Sequence, residues 1–66
     1  MNIQLNGIPH EIETAMSVTD LLASIGLGGK PVVVEIDEQA VFPRDYPLLT
    51  VQDGSRVEVV MLAAGG

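Results

Sequence analysis

The sequence closes on "MLAAGG", and the last reactive group in it is the carboxylate of Gly66, preceded by Ala63, Ala64 and Gly65. At an average glycine usage of about 7%, two terminal glycines arise by chance in roughly 0.5% of chains. The ending therefore merits a chemical reading. A terminal carboxylate, with a pKa of about 3.3 to 3.7, is an anion at neutral pH and a poor electrophile. A nucleophile attacks it only after an activation step has removed charge and supplied a leaving group. Gly65 and Gly66 lack a Cβ, so they can pass a narrow channel and take dihedrals closed to other residues, and Ala63 and Ala64 widen the chain only slightly. Six extended residues from Met61 onward span roughly 20 Å, enough to carry the carboxylate from a globular surface into a partner's cleft. Such a tail can also pair its backbone with a partner's strand or loop. Residues 63–66 can bury little apolar area, and they are expected to form a flexible reactive tail on a domain of residues 1–62.

Other chemistry is poorly supplied. Cysteine is absent, which removes disulfides, zinc-thiolate sites and nucleophilic or persulfide-forming thiols. A single histidine, His10, cannot build a multi-histidine metal site, and no role is assigned to it. Glu35, Asp37 and Glu38 lie close in sequence, but calcium wants 6 to 8 oxygen ligands and no acidic loop of suitable length follows. They read as a solvated turn, and no metal is expected. Gly28 and Gly29 have no following helix to cradle a phosphate, so they read as the loop after a helix.

Nine acidic residues against three basic ones give a formal charge of −6. That balance repels a phosphate backbone and favours a basic protein surface as partner over nucleic acid. No apolar run approaches the roughly 20 residues of a membrane helix, and the N-terminus lacks a basic stretch leading into an apolar one. A soluble, cytoplasmic protein is expected.

The elements that must hold the tail are legible from periodicity. Ile3 and Leu5 alternate with Asn2, Gln4 and Asn6, "NGIP" supplies turn residues, and "HEIE" alternates again around Ile12, giving an N-terminal hairpin. The period then changes. Val18, Leu21, Leu22 and Ile25 stack on one helical face, with Ser17 as N-cap, Asp20 as the acid of a shortened capping box and Gly26 as terminator. "PVVVEI" is a β-branched strand, "DEQ" a tight turn into "AVF", and "RDYP" an irregular surface segment. An Asp53-Gly54 turn precedes a last strand with Val57, Val59 and Met61 on one face and Glu58, Val60 and Leu62 on the other. With 66 residues there is room for one small aliphatic core, since Phe42 and Tyr46 are the only aromatics. A sheet with one helix across one face is the economical arrangement, an α+β fold in which both the helix stripe and one sheet face are covered.

That order of elements, ending in Gly-Gly, resembles the β-grasp (ubiquitin-like) fold, with a mixed sheet of about five strands. The stretches "SVTDLL", "VVVEID", "VFPR", "VQDGSRVEVV" and the terminal "GG" are similar to those of the bacterial sulfur carriers of the MoaD-ThiS family, over nearly the whole chain. Asp37 stands where those carriers usually have asparagine, and Ser55 where "DGD" is commoner. Both departures fall in turns and bear on loop stability.

The resemblance implies a sulfur carrier of thiamine biosynthesis that is a protein co-substrate and not an enzyme. A ThiF-type adenylyltransferase would use ATP to adenylate Gly66, a sulfur donor such as a cysteine desulfurase would supply sulfur, and the resulting thiocarboxylate would serve a ThiG-type thiazole synthase. No bound cofactor is implied. The absence of any thiol leaves the terminus as the place to carry sulfur. Val33, Val60 and Leu62, expected to point away from the helix, would form an apolar patch on which the activating enzyme docks. Related alternatives are the small subunit of molybdopterin synthase and carriers for cysteine or tRNA thiolation. A further one is a ubiquitin-like modifier or binding module.

Overall fold

The computed structural model describes residues 1–62. Strands β1 (Asn2–Leu5) and β2 (Ile8–Glu11) form the expected hairpin, with Leu5 opposite Ile8 and Asn2 opposite Glu11. Asn6 (φ 52°) and Gly7 (φ 78°) both occupy the left-handed region, as a two-residue turn matched to the strand twist demands. The turn is thus tighter than "NGIP". Ile8 and Pro9 belong to β2, which lies at an edge of the sheet where a missing N–H goes unnoticed.

Helix α1 (Val18–Ser24) starts where the sequence places it: the Ser17 hydroxyl accepts the Asp20 N–H at 3.0 Å, and Gly26 ends it with φ 80°. Its buried residues are Val18, Leu21 and Leu22. Strands β4 (Val32–Ile36) and β5 (Gln39–Val41) form a second hairpin, a short 3-10 helix covers Pro43–Asp45, and β7 (Arg56–Met61) closes the sheet. Two further strands, β3 (Met16–Ser17) and β6 (Thr50–Val51), pair with each other in a separate two-stranded sheet. Strands of two residues carry no periodicity, which is why the sequence does not announce them.

The main sheet has the order β2-β1-β7-β4-β5. Chain ends meet in its middle: β1 and β7 pair in parallel, Gln4 beside Arg56 and Leu5 beside Val57, and every other pair is antiparallel. One helix lies across one face of this mixed five-stranded sheet, as expected. The buried core is entirely Val, Leu and Ile, with Ile3, Val18, Leu21, Val34, Val51 and Val57 the most deeply enclosed. Aliphatic burial is the main favourable contribution, at roughly 25 cal/mol per Å².

The alternation expected along β7 holds through Val60 and then lapses. Val57 and Val59 are buried and Val60 is exposed, but Met61, expected on the covered face, is 49% exposed. Leu62, expected on the open face, lines a groove together with the helix residues Thr19 and Leu22. Met61 is the last residue of β7 and Leu62 lies past it, so the alternation of faces that holds within a strand no longer fixes the side Leu62 takes.

Candidate functional site

The expected reaction site, Gly66, and the tail residues Ala63, Ala64 and Gly65 lie outside the described residues. What the structure supplies is the root from which they leave. Along β7, Val57, Val59 and Met61 pair with Ile36, Val34 and Val32 of β4. One step past the strand, the Leu62 N–H still donates to the Pro31 carbonyl at 2.8 Å. The backbone is therefore held as far as Leu62. Met61 and Leu62, two of the six residues in the span the sequence suggests, are thus tied to the sheet.

The other side of β7 is held by a side chain. Beyond Leu5, β1 turns away, and Asn6 takes its place: its amide Nδ2 donates to the Val59 carbonyl at 3.1 Å and its Oδ1 accepts the Val59 N–H at 2.7 Å. The Asn6 N–H also donates to the Val57 carbonyl at 2.9 Å. One amide thus imitates a strand residue on β7. The sequence shows Asn6 only as a turn residue, because its second role depends on a strand more than 50 positions away.

On the open face, Val33 of β4 stands directly opposite Val60 of β7, and both are exposed, at 45% and 59%. The next pair on the same face of the two strands is Glu35 opposite Glu58, also exposed. Like charges facing each other across a ladder are destabilising. An apolar pair thus adjoins an acidic one, and Arg56, at the start of β7, lies 3.6 Å from Glu38.

On the helix side, Thr19, Leu22, Lys30, Val32, Tyr46 and Leu62 border a groove of about 430 Å³, which Gly28 and Gly29 of the loop after the helix also line. The Tyr46 hydroxyl donates to the Val32 carbonyl at 3.4 Å, and the Tyr46 carbonyl accepts the Thr19 N–H at 3.2 Å. These bonds tie the 3-10 segment to helix and sheet.

Among the described residues no group of three or more His, Asp or Glu side chains is placed to hold a metal ion. His10 is half-buried in the edge strand. No described helix is long and apolar enough to cross a membrane.

A mixed sheet with a central parallel pair, crossed by one helix and ending on a strand that carries the tail, defines a β-grasp, ubiquitin-like protein. The sequence profile of the ThiS family matches residues 3–66, and the chain belongs to that family. The crystal structure of a thiamine biosynthesis protein (ThiS) from Geobacter metallireducens superposes with a TM-score of 0.87 at 29% identity, over all of both chains. A solution structure of a thiamine biosynthesis protein from the same organism gives 0.83 at 29% identity, over all of this chain and 88% of that one. Among curated proteins, the whole chain is 33% identical to part of a thiazole synthase of Magnetococcus marinus and 30% identical to part of one of Paramagnetospirillum magneticum. It spans about a fifth of the length of those curated relatives, 20% in each.

Proposed function

We propose that this chain is a sulfur carrier of thiamine biosynthesis, a protein co-substrate and not an enzyme. The observation that carries the reading is that the ThiS-family match runs through residue 66 and so takes in the Gly-Gly ending. A ThiF-type adenylyltransferase would use ATP to convert the Gly66 carboxylate to an acyl-adenylate, releasing pyrophosphate. The terminal sulfur of a donor persulfide, of the kind a cysteine desulfurase forms, would then displace AMP to give an acyl disulfide, and a thiol from outside this cysteine-free chain would cleave its S–S bond by exchange, releasing the thiocarboxylate and a disulfide. A ThiG-type thiazole synthase would accept the sulfur. Adenylation matters because it turns a resonance-stabilised anion into a neutral acyl group with a good leaving group.

The synthase as acceptor is supported by relatives named thiazole synthase that contain, within one chain, a stretch similar to this whole sequence. Val33 and Val60, with Leu62 at the tail's root, are proposed as the apolar contact for the activating enzyme. The acidic pair Glu35 and Glu58 beside Val33 and Val60 suits a partner surface that brings a cation.

The test is the intact mass of the untagged protein. Incubated with ATP, a sulfur donor and the adenylyltransferase, it should gain about 16 Da, the difference between sulfur and oxygen, and a chain lacking Gly66 should not. An unchanged mass for the full chain would sink the carrier reading. Attachment to lysines in cell extracts, with no thiocarboxylate, would point to a modifier instead.

A further inference from the structure

The groove beside the helix shares only Leu62 with the contact proposed for the activating enzyme. It is lined by Leu22, Val32, Tyr46 and Leu62, and among the described residues its only charged lining residue is Lys30. Leu22 and Val32 are buried, at 4% and 8%, so the floor is a piece of core left uncovered on one side. About 430 Å³ lies within the range of ligand clefts and exceeds what one aliphatic side chain fills.

Three observations indicate what covers it. The first is charge. The chain has three basic residues, and among the described residues Arg56 lies 3.6 Å from Glu38 and Arg44 lies over the Phe42 ring and 3.9 Å from Asp45, whereas Lys30 has no ion pair. On a protein of charge −6, this rim offers an acidic group a cation with no ion pair among the described residues. The second is position. Leu62 is both a groove wall and the last described residue, and its N–H is bonded to Pro31, next to Lys30. The groove thus adjoins the point at which the chain leaves the described residues. The third is the pair of curated relatives, in which a stretch like this chain shares one polypeptide with a thiazole synthase.

We infer that the groove receives a segment of the thiazole synthase that places an apolar side chain among Leu22, Val32 and Leu62 and a carboxylate on Lys30. The contact would fix the direction in which the tail leaves, since it grips the tail's root and not the tail. The apolar insertion supplies affinity, and the ion pair at the rim supplies orientation and association rate. The inference takes its partner from the sulfur-carrier reading and is tested separately from it.

The experiment measures binding of the full chain to the thiazole synthase of the same organism by calorimetry, at low and at high salt. Lys30→Glu should weaken binding about tenfold at low salt, Lys30→Gln about three- to fivefold, and Lys30→Arg should bind within about twofold of the unaltered protein. The gaps should narrow at high salt. Thr19→Phe, which fills the groove from an exposed helix position, should weaken binding at both salts. Circular dichroism of each variant confirms that the fold persists, and the ATP-dependent mass gain is measured in parallel. Unaltered binding by Lys30→Glu, equal losses in Lys30→Glu and Lys30→Arg, or a Thr19→Phe that binds normally would each overturn the inference. Loss of the mass gain in the unaltered chain would instead remove the sulfur-carrier reading, whatever the groove binds.

Discussion

Glu38 holds φ 70° beside Asp37 at φ 49°, so the second hairpin turn puts two side chains into the left-handed region. The first hairpin uses Asn6 and Gly7 for the same geometry. Asp37 compensates in part: its carboxylate accepts the Arg56 N–H at 2.9 Å, and its N–H donates to the Arg56 carbonyl at 2.7 Å. The Glu38 side chain meets only Arg56, at 3.6 Å and largely in solvent, a pairing of little energetic weight. A left-handed non-glycine residue costs about 1 to 2 kcal/mol, and glycine adds back about 0.5 to 1 in chain entropy. Glu38→Gly should therefore raise stability by about 0.5 to 1 kcal/mol, read as a higher urea midpoint at unchanged slope. Asn6→Ala goes the other way. It removes both amide bonds to Val59 and leaves an L-alanine at φ 52°, for a loss of about 2 to 3 kcal/mol and faster hydrogen exchange at the Val59 amide.

At the scale of elements, α1 is short enough that its ends matter. Seven residues are about two turns, marginal in isolation, and the helix persists because Val18, Leu21 and Leu22 are buried against the sheet. Ser17→Ala removes the cap on the Asp20 N–H and should cost about 1 kcal/mol, visible as reduced exchange protection in the first turn of α1. Hairpin, helix and last strand were legible because each carries a period or a punctuation residue. β3 and β6 were not, since two residues show no period. Val51 is nevertheless fully buried there. The lapse of alternation at Met61 was also illegible, because it depends on where β7 ends and on what packs beside it.

At the scale of the whole molecule, every core residue among the described ones lies between Ile3 and Val59. Removal of residues 63–66 takes away none of that core, so a chain ending at Leu62 should melt within about 2 °C of the full one while gaining no mass with ATP and a sulfur donor. Fold and proposed chemistry are thereby separable in one comparison. A large drop in the melting midpoint would show that the last four residues belong to the folded unit.

The sequence by itself determined the hairpins, the capped helix, the aliphatic core and the family, because these rest on neighbours in the chain: a period, a turn dipeptide, a cap three residues away. It also put the candidate reactive carboxylate on Gly66, where no cysteine competes. The tertiary structure decided what depends on distant segments. It joined β1 to β7, turned Asn6 into a clamp on Val59, and set Glu35 against Glu58. It also gathered Thr19, Lys30, Tyr46 and Leu62 around one groove at the tail's root. No local pattern encodes these, since each is a meeting of residues that only packing of the shared core brings together.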